Sequence, residues 1–392
     1  MTDAGVARAV AALGAMNEAY YRGRIAAAQG RMEAAGLDGL LLLDANNVIY
    51  ACGFFHIPSE RPLGLYIPRS GEPVLYVPLL ERENAGDTWV RDIRTYFEYP
   101  GEEHAVVWMA RDCGARRLGI DHIEQAVYAR LPQGVTVTAL IDEMRWVKDE
   151  VELALIAQAA RYADFCLEQI RDHAADVIQG GGTELDILAM CLGATRDRMR
   201  AEVGEQFRLY GGGIVGTVHS GPRAALPHGS PIKRVPQRGE PMIAGIGASV
   251  GGYHAESGAT FVIGEPTADQ LHCLRAAVAC NDAAINALRP GATCAQVNTA
   301  ALAALRDAGL EAYIRHRIGH GMGLQGHEAP WLAPGDDTVL VPNMAFSNEP
   351  GIYRPGVDGY RTINTMIVTE GAAHVPSRFL AEHPPEKRIL GV

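Results

Sequence analysis

Two runs of this chain carry residues able to do chemistry: Gly319-His320-Gly321-Met322-Gly323-Leu324-Gln325-Gly326-His327-Glu328-Ala329-Pro330 and, downstream, Ser347-Asn348-Glu349-Pro350-Gly351. Glycine lets backbone pass close to a neighbour and take angles that other residues resist. A histidine flanked by Gly319, Gly321 and Gly323 is therefore expected to line a cleft and not an ordinary core strand. Two imidazoles with a carboxylate downstream are the equipment of acid–base catalysis or of a metal site. Further candidates stand in Pro227-His228, in Gly252-Tyr253-His254-Ala255-Glu256 and in Gly359-Tyr360-Arg361-Thr362-Ile363-Asn364. Strand alternation would place His254 and Glu256 on one face and Tyr253 on the other.

The elements that must position these residues read as an α/β (α+β) chain in two domains, residues 1–145 and 146–392. In the first, a helix over residues 18–35 precedes the apolar run Leu40-Leu41-Leu42-Leu43. Further strands at 63–67, 73–77, 118–120 and 135–140 complete a small mixed sheet. Residues 46–63 read as turn formers and aromatics ending at Arg61, a candidate substrate contact. In the second domain, Ile156, Ala160, Ala163, Leu167 and Ile170 recur on one helical face from Lys148 onward. Gly180-Gly181-Gly182-Thr183 opens a shorter helix, and glycine-rich strands run from Tyr210 to Gly264. The order then returns at a spacing of about 110 residues, beyond solenoid periods, with a Thr267/Gln270 capping box, a helix from Thr293 to Leu310 and strands over 318–369. Such a duplication points to a pseudo-two-fold domain whose halves send polar residues into one cleft.

Composition narrows the ligand. A net charge of −11 with scattered Lys and Arg disfavours nucleic acid and anionic membrane, leaving a small-molecule substrate. There is no run of about 18 apolar residues and no signal-type core at the amino terminus, so the expected location is cytoplasmic. Seven dispersed cysteines without a C-x-x-C pair read as reduced, buried small apolar residues.

The run H-G-x-G-x-x-x-H-E-x-P at His320, the N-E-P-G at Glu349, Leu226-Pro227-His228 and Met144-Arg145-Trp146-Val147-Lys148 together resemble the M24 peptidase and creatinase family, which includes prolidases and Xaa-Pro aminopeptidases. The resemblance covers nearly the whole chain. It implies a creatinase-like amino-terminal domain and a carboxy-terminal pita-bread domain. Its peptidases hold two divalent metals on two aspartates, one histidine and two glutamates. Here those positions fall on Gly245, Glu256, His320, Glu349 and Ile363, so two ligands are lost and one aspartate is replaced by the longer glutamate. A dinuclear centre needs bridging carboxylates, so the expectation is no metal cofactor. The alternative is a single Mn, Co or Zn on Glu256, His320 and Glu349.

Creatinase itself works without metal, and His228 matches its catalytic histidine. Gly258, however, falls where creatinase has a glutamate. Arg61-Pro62 resembles the segment whose arginine reaches the partner's site, which implies a homodimer. The residues then suggest hydrolysis of a C–N bond, amide or amidino, in a small cationic or zwitterionic substrate. His228 would move the proton, and His327 would polarise or hold the substrate, with His254 and Arg361 as further contacts. Glu256 and Glu349 would repel each other unless one carries a proton or a cation lies between them. A metal-dependent Xaa-Pro aminopeptidase or dipeptidase, and a non-catalytic peptide-binding homologue, are the alternatives.

Overall fold

A computed structural model of the chain describes residues 3–204 and 213–392, which divide into two compact units. One is Gly14–Arg145; the other joins Met1–Leu13 to Trp146–Val392. Helix α1 (Asp3–Ala15), which the sequence reading passed over, thus belongs mostly with the carboxy-terminal unit.

The amino-terminal unit is a mixed sheet in the order β4-β3-β2-β1-β5-β6, made of β1 (Gly39–Leu42), β2 (Gly64–Pro68), β3 (Val74–Pro78), β4 (Asp92–Tyr96), β5 (Leu118–Ile120) and β6 (Val135–Val137). The four residues of β1 are all buried, which is why that run is continuously apolar. Helix α2 (Glu18–Ala34) begins at Asn17, whose side chain accepts from the Ala19 and Tyr20 amides. Helices α3 (Ala45–Cys52), α4 (Arg82–Gly86), α5 (Ala105–Asp112), α6 (Gln125–Tyr128) and α7 (Leu140–Trp146) follow in chain order. Two sequence readings need correction here. Residues 45–52 form α3 and not a loop, because Asp44 caps the Asn46 and Asn47 amides and Val48, Ile49, Tyr50 and Cys52 are buried. The strand expected to reach residue 140 stops at Val137, and Leu140 opens α7.

In the carboxy-terminal unit, α8 (Glu150–Gln179) starts at the Asp149/Glu152 capping box, and α9 (Glu184–Val203) starts at Thr183/Asp186. The glycine-rich stretch expected from Tyr210 begins outside the described residues, and β7 is Ile214–Ser220. With β8 (Pro241–Val250), β9 (Tyr253–Ile263) and the short β16 (Ile389–Leu390) it forms the sheet β16-β9-β8-β7. Helices α10 (Ala268–Ala287) and α11 (Cys294–Asp307) repeat the capped pair, each with a Thr/Gln capping box. The second half then supplies β10 (Gly319–Gly321), β11 (Glu328–Leu332), β12 (Ala345–Asn348), β13 (Gly351–Arg354), β14 (Asp358–Arg361) and β15 (Asn364–Ile367), before the last helix α12 (Phe379–Glu382). Strands β11-β10-β12-β15 make one sheet and β13-β14 a ribbon. A bridge between Gly258 and Ile363 ties the halves, with hydrogen bonds of 2.9 and 3.0 Å in the two directions.

Candidate active site

His320 is the centre of the site, and it lies on the fully buried strand β10, contrary to the sequence expectation. The glycines around it serve neighbouring atoms of the protein. A Cβ on Gly319 would stand 2.0 Å from the Ser347 carbonyl oxygen, and one on Gly321 would stand 2.7 Å from that of Ala329. One on Gly323 would meet the Glu328 carboxylate at 2.7 Å. None of the three has a positive φ, so close strand approach is what requires glycine here.

The imidazole of His320 has its roles assigned by what surrounds it. Nδ1 lies 3.0 Å from the Gly321 carbonyl, which can only accept, so Nδ1 carries the hydrogen. Burial pushes the His320 pKa down to about 4, so the ring is neutral and Nε2 presents a lone pair. Nε2 is buried without a hydrogen-bond partner and stands 3.6 Å from Glu349 Oε1 and 3.8 Å from Glu256 Oε2. His327, exposed, stacks on the His320 ring at 3.8 Å between centroids. Ligand atoms of Glu256, His320 and His327 all lie within 4.8 Å of one another. The compact set of ligand atoms is therefore Glu256, His320 and His327, with Glu349 beside His320, whereas the single-metal set expected from sequence was Glu256, His320 and Glu349.

Both halves of the unit hold Glu256. The second half supplies Ser347, whose hydroxyl donates to Glu256 Oε2 at 2.7 Å, and Thr365, whose hydroxyl accepts from the Glu256 amide at 2.9 Å and donates to its carbonyl at 2.8 Å. Tyr253 turns the other way, buried with its hydroxyl donating to Glu152 at 2.8 Å. His254 is half-buried, and its Nδ1 lies 3.2 Å from the Gly323 carbonyl, which fixes it as a support of the β10 loop.

The two positions that lack the expected carboxylates are filled by other groups. An added Cβ on Gly245 would lie 2.8 Å from Arg361 Nη2 and 3.3 Å from Ile363 Cδ1. On Gly258, paired with Gly245 across β8 and β9, it would lie 2.7 Å from Ile363 Cδ1. The Arg361 guanidinium and the Ile363 side chain thus occupy the space in front of Gly245, and Ile363 that in front of Gly258. A dinuclear metal centre does not fit: two carboxylates are missing, and a fixed cation already stands at Gly245. A single divalent ion does fit the remaining donors. His320 Nε2 offers a lone pair with no donor facing it, between carboxylate oxygens.

His228 is exposed just beyond the turn Gly221–Ala225, and the carbonyl of Pro227 beside it accepts from Arg361 Nη1 at 2.7 Å. Arg61 belongs to the amino-terminal unit, where it ion-pairs with Glu98 at 2.9 Å and with Glu60. The sequence reading missed three residues near Arg361. His219, with a fully buried and unpartnered Nε2, has its pKa pushed down to about 3 by burial and then by the Arg361 charge. His316 Nε2 lies 2.9 Å from the Tyr353 hydroxyl, and Tyr353 is buried. Tyr353 lies close downstream of the Asn348-Glu349-Pro350-Gly351 run, a signal that could have found it; His219 and His316 stand in sequence without any motif.

Comparison with known proteins agrees with this architecture. Residues 154–370 match Metallopeptidase family M24, and residues 24–147 match the Creatinase/Prolidase N-terminal domain. The "Probable dipeptidase PepE" of Mycobacterium tuberculosis is 34% identical over 91% of this chain and 94% of its own. The "Xaa-Pro dipeptidase" of Lactobacillus delbrueckii subsp. lactis is 28% identical over 87% of this chain and 93% of its own. The crystal structure of dipeptidase PepE from Mycobacterium ulcerans, 29% identical, superposes with a TM-score of 0.82 over 95% of this chain and 99% of its own. The fold is accordingly the pita-bread fold behind a creatinase-type amino-terminal domain, and the chain belongs to metallopeptidase family M24.

Proposed function

We propose that this M24 hydrolase cleaves the amide C–N bond of short peptides, at a site that takes at most one divalent cation. The observation that carries the reading is the lone pair of His320 Nε2 facing carboxylate oxygens at 3.6 and 3.8 Å, in a chain whose relatives bear the names dipeptidase and Xaa-Pro dipeptidase. Those names favour a peptide over the amidino substrate first expected from the creatinase resemblance. A divalent ion held by Glu256, His320, His327 and Glu349 would supply Lewis-acid polarisation.

The side chains divide the remaining work. His228, exposed and on a loop, is free to take the proton of an attacking water as the carbon–oxygen bond forms. It then returns that proton to the amine nitrogen as the carbon–nitrogen bond breaks. Glu256 and Glu349 accept hydrogen bonds from the water or from the peptide's ammonium group. Exposed His327, held flat against His320, orients the substrate carbonyl. Arg361 steadies the loop of His228 through the Pro227 carbonyl.

Purified protein assayed against a panel of dipeptides, Xaa-Pro included, should show turnover that His228→Ala lowers by about a hundredfold or more. His228→Ala at wild-type kcat, or no turnover across the panel, would contradict the proposal.

A further inference from the structure

Small residues leave a hollow beside the long helix α8. Along one of its faces Glu150, Leu153, Ala154, Ala157, Gln158 and Arg161 recur at spacings of three and four, with two alanines in the middle. Helix α1 meets that face at Gly5, where an added Cβ would stand 3.1 Å from Gln158 Oε1 and 3.6 Å from Arg161 Nε, so the glycine is what leaves both side chains room. With Arg8 one turn further along α1, and with Ile367 and His374 opposite each other in a backbone bridge, these residues line a cavity of about 430 Å³. That is the size of a small-molecule site, and none of the candidate catalytic residues lines it.

Its polar groups are unspent. The chain has 46 acidic and 35 basic residues, so a carboxylate is seldom far from an arginine. Among the described residues Arg8 and Arg161 nevertheless form no ion pair and no side-chain hydrogen bond. Glu150, the acid of the cavity, stands three turns from Arg161, roughly 16 Å along the helix axis. Desolvation first, and then the charges of Arg161, Arg378 and Arg8, hold the His374 pKa below the usual imidazole value, so its ring is neutral and available for a hydrogen bond. Arg378 is already paired with Glu382 at 3.5 Å, which leaves two arginines to act together. Gln158 is 1% exposed, with no well-formed hydrogen bond at Nε2 or Oε1. The Tyr162 hydroxyl beside it already donates to Glu202 at 2.9 Å. Gln158 Oε1 is thus a buried acceptor without a donor, next to Arg161.

We propose that this cavity is a second binding site, for a small hydroxylated organic anion whose phosphate or carboxylate lies between Arg8 and Arg161. Guanidinium forks match the oxygens of either group. A ligand hydroxyl would donate to Gln158 Oε1, and the carbon skeleton would rest on Leu153, Ala157 and Ile367. Ile367 ends β15, the strand whose Thr365 holds Glu256, so an occupant would brace that strand from behind the candidate active site.

The test is titration calorimetry on the full chain at physiological ionic strength, with glycerol 3-phosphate and citrate as probes and glycerol as the neutral control. Wild type should bind at least one of the two anions with a Kd below about 1 mM and should not bind glycerol. The tighter of the two assigns the head group as phosphate or carboxylate. Arg8→Gln and Arg161→Gln should each weaken binding by about tenfold or more, the loss of one charge-assisted contact. Ala157→Met, which fills the cavity and leaves both charges in place, should weaken it as well, and this keeps the test open if an arginine variant fails to fold. Binding of neither anion, or binding that survives undiminished in both Arg161→Gln and Ala157→Met, would overturn the proposal.

Discussion

Ser347 shows how much of the site depends on single hydroxyl groups. Its donation to Glu256 Oε2 at 2.7 Å is a bond to a carboxylate, a kind worth about 1.5–3 kcal/mol. Ser347→Ala should therefore lower kcat/KM by roughly tenfold or more and cost stability on that same scale, with activity restored in Ser347→Thr. Unchanged kinetics would show that Glu256 needs no such orientation. At this scale the sequence was legible where a residue belongs to a local run. His320, His327 and Glu349 announce themselves by their neighbours. Arg361 was noticed, but its burial against Gly245 and its bond to the Pro227 carbonyl were not readable, because both partners lie more than a hundred residues away in sequence. His219 and His316 were invisible for the same reason: a lone histidine becomes part of a site only through contacts that folding creates.

Among the elements, the long helix α8 and the β10–β11 turn are joined through a buried ion pair. Lys148 Nζ, just before the helix, lies 2.9 Å from Glu328 Oε1, with the side chains 2% and 5% exposed. Removing one partner of such a pair strands the other charge and costs about 3–5 kcal/mol. Lys148→Met should therefore lose stability on that scale in urea denaturation, and the double change with Glu328→Leu should recover most of it. A loss below about 1 kcal/mol for the single variant would contradict the pairing. In the amino-terminal unit the relevant pair is His122 with Asp142, 3.4 Å apart. The hydrogen bond to Asp142 raises the His122 pKa to about 9. A raised histidine pKa stabilises the fold fully below 6.5, and the contribution disappears as pH rises through about 9. With the imidazole 61% exposed, solvent screening keeps this below about 1 kcal/mol. Wild type should exceed His122→Ala in stability at acidic pH, with the difference gone above the raised pKa; a difference that grew with pH would refute the pair. Helices announced by capping boxes and apolar periodicity, such as α8 and α10, were readable from sequence. Helix α3 was not, since its Asn-rich start resembles a turn until Asp44 is seen capping it. Strand β4 escaped as well, because Asp92-Ile93-Arg94-Thr95-Tyr96 is half-exposed and carries too little apolar signal.

For the molecule as a whole, the duplication in the sequence anticipated the convergence of β9 from one half with β10, β12 and β15 from the other. Glu256 is held by side chains that lie about a hundred residues downstream, as Thr365 and Ser347 show. Among the described residues no helix is long and apolar enough to cross a membrane. All seven cysteines are free, and all but Cys113 are buried. We propose a homodimer in which Arg61 serves the partner's site. Subunits carrying His228→Ala, mixed and re-equilibrated with subunits carrying Arg61→Ala, should regain activity that neither has alone; failure to do so would place Arg61 outside catalysis. The account as a whole turns on Gly245 and Ile363 leaving a site for one cation beside a fixed guanidinium. The direct test is metal analysis of dipeptide-cleaving protein purified without chelator and loaded with excess Mn, Co or Zn before desalting. The account predicts no more than one equivalent per chain; two tightly held equivalents, both needed for turnover, would contradict it.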